Sequence, residues 1–214
     1  MIDNTVAASS ERLKKQEKIL EAAENLFVEK GLPETTMSEI AEAAEISRRT
    51  LYRYYASKED LAFAVEGRIF ILFYQDLEKN LKNITGTGYE KLAWLLTSIP
   101  LYIEEHKKEV KFTGVFDHYF SGEYPGSPES EKFIQIIQED GNPVAEIIRQ
   151  GIQDGSIRKN IDAFLTARTI GNTIISLAQR IIIRGHHIEK EQSVAPRAIM
   201  EQLMEMILES LRPL

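Results

Sequence analysis

Between Ile46 and Lys58 the chain carries four cations, Arg48, Arg49, Arg53 and Lys58, and no acid, although its 214 residues sum to a formal net charge of −7. Positive charge confined to a dozen residues of an acidic chain is matched to a local polyanion, because affinity for DNA follows the charges that meet phosphates rather than the total. Arginine can grip guanine O6 and N7 with two hydrogen bonds in a major groove, and tyrosine hydroxyls such as those of Tyr52 and Tyr54 suit phosphate oxygens. Double-stranded DNA is the partner this stretch fits. Other chemistries find little footing. The absence of cysteine excludes disulfides, thiolate zinc sites and a cysteine nucleophile. The histidines, His106, His118, His186 and His187, form neither an H-E-x-x-H motif nor an i, i+4 pair. There is no G-x-S-x-G, P-loop or G-x-G-x-x-G, and TGTG at residues 85–88 is a turn. The acids Glu104, Glu105, Glu189 and Glu191 lie in charged stretches and are most simply solvated. No catalytic residue, metal or cofactor is expected.

The elements that must position the cations are announced by caps. Thr36 and Glu39 have the T-x-x-E spacing of a capping box, in which hydroxyl and carboxylate each satisfy an otherwise orphaned backbone group, so a helix should start at Met37. Met37, Ile40, Ala41 and Ala44 give it one apolar face. Ser47 opens a second helix and Ser57 a third. At about 100° per residue, the helix after Ser47 turns Leu51 and Tyr55 inward and Arg49, Thr50 and Arg53 outward, with Arg48, Tyr52 and Tyr54 on the flanks. Two short helices joined by a tight turn describe a helix-turn-helix.

At these residues the chain resembles the tetracycline-repressor (TetR) family of bacterial transcription regulators. ILEAAENLFVEKG, TTMSEIAEAAEIS and TLYRYYASKEDL stand in that family's order and spacing. The resemblance implies an all-α fold: a three-helix helix-turn-helix domain at residues 1–60, and a helical effector-binding and dimerisation domain at 61–214. It implies a ligand-responsive repressor that binds a pseudo-palindromic operator as a homodimer and is released by an as yet unknown small-molecule effector. Carried onto this sequence, the motif makes Arg48, Arg49, Thr50 and Arg53 candidates for base edges. Thr36, Tyr52, Tyr54 and Lys58 become candidates for phosphates, with Ser47 capping the recognition helix among them. Glu45 stands where the family usually has a turn glycine, and Arg49 where a second glycine is common; Glu45 therefore points to a residue held at positive φ or to an altered turn. An activator, a regulator answering to a protein, an all-helical enzyme with an incidental basic helix, and a protein–protein adaptor are the alternatives.

The rest of the chain reads as helices. Residues 1 to about 9 are polar and aperiodic, as expected of a disordered arm. From Ser10 to Lys30, Leu13, Ile19, Leu20, Ala23, Leu26 and Phe27 keep helical spacing, with Gly31 at the left-handed cap. The helix from Ser57 should run toward Ile84, a lever or a rigid connector between the domains. The segment from Tyr89 to Val110 should kink or split at Pro100. Phe70, Phe73, Tyr74, Trp94, Tyr102, Phe112, Phe116, Tyr119 and Phe120 gather around that bend and, with a partly buried His118, could line an apolar effector pocket. Sparse internal charge points away from a polyanionic ligand. Helices should follow from Ser127–Pro128 toward Asp140, up to the Asp154–Gly155 turn, from Asp162 to Gly185, and from Ser193–Pro196 onward. The stripes Ile170, Ile174, Leu177, Ile181 and Ile199, Leu203, Met206, Ile207 suit a four-helix dimer interface. No apolar run is long enough to span a membrane and no secretion signal is present, so a cytoplasmic location is expected.

Overall fold

The computed structural model describes residues 2–138 and 142–213. They form ten helices in chain order: α1 (Ile2–Lys30), α2 (Met37–Ala43), α3 (Arg48–Tyr54), α4 (Lys58–Leu81), α5 (Gly88–Glu105), α6 (Lys107–Tyr119), α7 (Pro128–Gln138), α8 (Pro143–Asp154), α9 (Ala163–Gln192) and α10 (Pro196–Leu211). The described residues contain no strand. No helix among them is long and apolar enough to cross a membrane.

The predicted caps are present. Thr36 and Glu39 complete the reciprocal box, Ser47 Oγ accepts from the Thr50 amide, and Ser57 Oγ accepts from the Asp60 amide. Asp162 caps α9 as expected, and Asn142 Oδ1 caps α8, a cap not among the expected ones. Three boundaries differ from expectation. The helix of α1 reaches back to Ile2 where an arm was expected, since nothing between Ile2 and Ser10 is a glycine or proline that would stop it. Pro100 sits inside an unbroken α5, and the chain breaks six residues later at His106, whose φ of −116° and ψ of 34° leave the helical region. One turn before the proline, Thr97 Oγ1 donates to the carbonyls of Ala93 and Trp94 and Ser98 Oγ to that of Leu95. Helix α9 continues through Gly185 and ends at Ser193, which takes the left-handed conformation at φ +55°. The end of the helix expected to approach Asp140 lies outside the described residues.

Packing divides the chain into two compact units, Met1–Ile71 with Phe112–Gln138, and Leu72–Lys111 with Glu139–Leu214. The division expected at 60/61 does not coincide with this one, and the reason lies in the aromatic core of the first unit. Phe63, inside α4, packs its ring 5.0 Å from Phe116 and 5.8 Å from Phe133, drawing α4, α6 and α7 into one core with α1. In that core Phe27 stacks on Phe112 at 5.9 Å, and Arg68 of α4 makes ion pairs with Glu17 and the buried Glu24 of α1.

The second unit has a separate aliphatic core of Leu92, Leu95, Leu96, Ile147, Ile148, Ile157, Met200 and Met204. Its tightest crossing is between α5 and α8, where a Cβ built on Gly88 would lie 2.1 Å from the Gly151 amide nitrogen. Only glycine permits that approach. The same corner is pinned by hydrogen bonds from the Gly88 amide to Asp154 Oδ2 and from the Tyr89 amide to Ser156 Oγ.

Candidate nucleic-acid interface

The first unit places α3 on its surface by burying one edge of it. Leu51 is fully buried and Tyr55 is 3% exposed. The Tyr55 hydroxyl accepts a hydrogen bond from Gln16 Nε2 at 3.1 Å, which ties the end of α3 to α1, and burial pushes that hydroxyl up to about 12. It therefore stays protonated at neutral pH. With that edge fixed, Arg48, Arg49, Tyr52 and Arg53 are exposed, while Thr50 and Tyr54 are half-buried. The structure separates inward from outward residues as the helical wheel does, except that Thr50, expected outward, is half-buried.

The turn before α3 is built around Glu45, which adopts φ +53°. A side chain there costs conformational energy that glycine would not. The Glu45 amide donates to the Glu42 carbonyl and the Ile46 amide to that of Ala41, so the turn keeps its backbone bonds without a glycine. The carboxylate reaches back to the Lys18 ammonium of α1, and that hydrogen bond holds it below the usual glutamate range. In α2, the Lys30 ammonium, followed by the Thr36 amide and hydroxyl, lowers the Glu39 carboxyl to about 2. α2 is thereby held to the end of α1.

Several expected contacts are already engaged. Thr36 is exposed, and its hydroxyl is within 2.9 Å of Glu39 Oε2. Ser47 Oγ and Thr50 Oγ1 lie 2.8 Å apart, so Thr50 shares its hydroxyl with the cap. Lys58 Nζ donates to the Pro33 carbonyl at 3.0 Å and is half-buried. Arg53 and Tyr54 line an open groove together with Glu11, Arg12 and Lys15 of α1. These three residues lie in the helix expected from Ser10 onward, on its polar side, which the apolar spacing does not mark.

The residues expected to line one effector pocket fall into both units. In the first unit, Phe116 and Phe120 pack at 4.7 Å and Phe70 lies 6.0 Å from Phe133. Phe63, Tyr124 and Phe133, which sequence reasoning did not single out, complete this cluster. His118 is exposed, correcting its expected partial burial: α6 buries Phe112, Thr113 and Phe116, and a residue two positions past Phe116 turns about 200° away. Tyr119 is 36% exposed and its hydroxyl donates to Glu59 Oε1 at 3.1 Å. In the second unit, Phe73 contacts Tyr74 and Tyr102, and Tyr102 stacks on His106 at 4.1 Å. Trp94 is 39% exposed. Among the described residues no three histidines or acids converge as a metal site; His186 and His187 sit exposed on α9.

The dimer candidates are also distributed by packing. Ile170 is buried, and Ile174, Leu177, Ile181, Leu203 and Ile207 pack against the core of their own unit. Ile199 is half-buried and Met206 is 61% exposed. Met206 belongs to α10; the large apolar side chains exposed on α9 are Phe164, Leu165 and Ile183.

Comparison with known proteins bears on the same segment. Residues 19–65, from α1 into α4, match the family model described as bacterial regulatory proteins, tetR family. The HTH-type transcriptional repressor KstR2 of Mycobacterium tuberculosis is 29% identical over 163 residues, covering 72% of this chain and 75% of that protein. Two solved structures share the fold. FadR of Bacillus halodurans, a fatty acid degradation regulator, superposes with a TM-score of 0.71 at 19% identity over 91% of this chain and 94% of that one. FadR of Bacillus subtilis, in complex with stearoyl-CoA, gives 0.69 at 22% identity over 92% and 99%. The family match falls on the helices that expose the arginines, and the likeness in fold continues through the helices that follow them: residues 19–65 match the tetR family of bacterial regulatory proteins, and the chain as a whole shares its fold with the FadR regulators.

Proposed function

We propose that this protein is a ligand-responsive transcriptional repressor that binds a pseudo-palindromic operator as a homodimer and is released by a small, largely apolar effector. The observation that carries the reading is the exposed arginine face of α3, held by buried Leu51 and Tyr55 in a chain that is otherwise acidic. In this reading Arg48, Arg49, Thr50 and Arg53 meet base edges, and Thr36, Ser47, Tyr52, Tyr54 and Lys58 meet the backbone. The name of KstR2 as a transcriptional repressor supports repression, and the stearoyl-CoA complex of the B. subtilis FadR supports a ligand with a large apolar part. A long-chain acyl-CoA thioester is the class to test first: its acyl chain suits an interior of aromatic and aliphatic side chains, while its phosphate-bearing coenzyme part departs from the expectation of a ligand without polyanionic character. The site of action is the cytoplasm, where such regulators meet DNA.

A mobility shift with the DNA flanking its own gene, in about 200 mM salt with random competitor, tests the reading. A sequence-selective shift relieved by stearoyl-CoA is expected. Without any selective shift, regulation of neighbouring genes is refuted. A selective shift that ignores acyl-CoA would refute the effector class and leave the DNA reading standing. Arg49→Ala should cost about 1–3 kcal/mol at one base position, whereas Lys58→Ala should weaken all duplexes alike. Equal losses on specific and random DNA for both variants would overturn that division of labour.

A further inference from the structure

The groove beside α3 reaches beyond the helix-turn-helix motif onto α1. Its walls are Arg53 and Tyr54 of α3 and Glu11, Arg12 and Lys15 of α1. Three of these five side chains are cationic, and Arg12, Lys15 and Arg53 are all exposed. They are brought together by the helical start of α1: Arg12 and Lys15, three apart, lie on neighbouring positions of one helix face. Leu13, between them, is 63% exposed, so this turn of α1 stands clear of the core. Lys15 Nζ now donates to Glu11 Oε1 at 2.7 Å, an exposed pair that contributes little to stability and is easily exchanged.

We propose that Arg12 and Lys15 of α1 form, with Arg53 and Tyr54, a phosphate-binding groove that extends the DNA contact beyond the helix-turn-helix. The occupant is a backbone phosphate of the same duplex that α3 reads, because the groove shares Arg53 with the recognition face and is continuous with it. The proposal rests on the DNA-binding reading above. A phosphate entering the groove replaces the Glu11 carboxylate as the partner of Lys15, and Arg12 supplies a second donor group. Glu11 then acts as an internal competitor that weakens the non-specific, charge-driven part of the affinity.

Fluorescence anisotropy of the full-length protein, on the operator duplex and on a random duplex at 50 and 200 mM salt, tests this. Arg12→Ala and Lys15→Ala should each weaken both duplexes by the same factor. Each lost contact should also flatten the salt dependence, so that the wild-type advantage shrinks about threefold per contact and protomer between the two salt concentrations. Arg12→Lys should retain most of the binding, and Glu11→Gln should tighten it on both duplexes. Both α1 positions are exposed, so thermal unfolding of the variants should match the wild type. Unchanged affinity and salt slope in the double variant, with selective binding intact in the wild type, overturns the groove alone. Loss on the operator only, at unchanged salt slope, also overturns it, because that is the signature of base reading. If the wild type discriminates no sequence and Arg49→Ala changes nothing, the DNA-binding reading fails and takes the groove with it.

Discussion

At the scale of single residues, the first unit contains a carboxyl group that its surroundings oppose. Glu66 of α4 is 2% exposed, and its Oε2 has no hydrogen-bond partner among the described residues. Burial first, and then the nearby Asp117 of α6 and Glu24 of α1, push its pKa well above the ordinary 4.5. The folded state therefore holds a proton that the unfolded chain releases near 4.5, so the contribution to stability is complete below that pH and is lost as pH rises through the folded value. Unfolding by urea should show the wild type losing stability as pH rises above about 4.5. Glu66→Gln, which stays neutral, should flatten that dependence, and an unaltered slope would mean that Glu66 is ionised in the fold. Glu45 presents a different cost. At φ +53° its Cβ is disfavoured by about 1 kcal/mol, and the exposed pair with Lys18 offsets little of that. Glu45→Gly should raise the unfolding free energy by roughly 0.5–1 kcal/mol in urea melts, after allowing for the greater freedom of glycine in the unfolded chain. A loss instead would show that the tie to α1 outweighs the backbone cost.

At the scale of elements, two glycines in helices make opposite demands. Gly88 begins α5 where a Cβ would strike backbone atoms of Gly151 at 2.1 and 2.4 Å, and backbone cannot step aside as a side chain can. Gly171 lies within α9, and a Cβ there meets nothing within 4 Å in a single protomer. Gly88→Ala should therefore cost about 1–3 kcal/mol or more, whereas Gly171→Ala should gain up to about 1 kcal/mol from helix propensity. Chemical denaturation of both variants checks the contrast, and a mild Gly88→Ala would mean that α5 and α8 can separate at no great cost. The same contrast explains what could be read in the sequence. Thr36, Ser47, Ser57, Asn142 and Asp162 act on amides two or three residues away, so the starts of α2, α3, α4, α8 and α9 are local facts. The arginine face of α3 is local too, because helical period and the inward pull of Leu51 and Tyr55 determine it. The close approach of Gly88 to Gly151 joins residues 63 positions apart and leaves no local trace. Gly185 likewise permits a helix end without requiring one: its backbone stays helical and α9 runs on to Gln192.

At the scale of the whole molecule, the split into two packing units reflects aromatic side chains that choose different cores. Phe63 and Phe70 of α4 go with α6 and α7, whereas Phe73 and Tyr74, a few residues on, join the core that contains Tyr102. One helix thus feeds both cores, and no shift in composition along the sequence marks the boundary. The second unit also leaves apolar surface uncovered: Leu165 is 66%, Ile183 58% and Met206 61% exposed. Leu165 also borders a groove with Ile161, Thr169, Thr173, Ile207 and Ser210, between α9 and α10. Isolated exposed leucines need no explanation, but several large side chains on the last two helices give a second copy something to bury. Of the stripe expected to meet that copy only Ile170 is buried; Ile174, Leu177, Ile181, Leu203 and Ile207 are partly buried, and Leu165, Ile183 and Met206 are the outward residues available for an isologous contact. Leu165→Glu with Ile183→Glu should convert a dimer to a monomer in sedimentation equilibrium without lowering the helical signal in circular dichroism. If operator binding needs two α3 helices on two half-sites, the same variant should lose its affinity for the full operator while a single half-site is bound as weakly as before. A variant that stays dimeric would place the interface on another face, and one that is monomeric yet binds the full operator unchanged would show that the two recognition helices act independently.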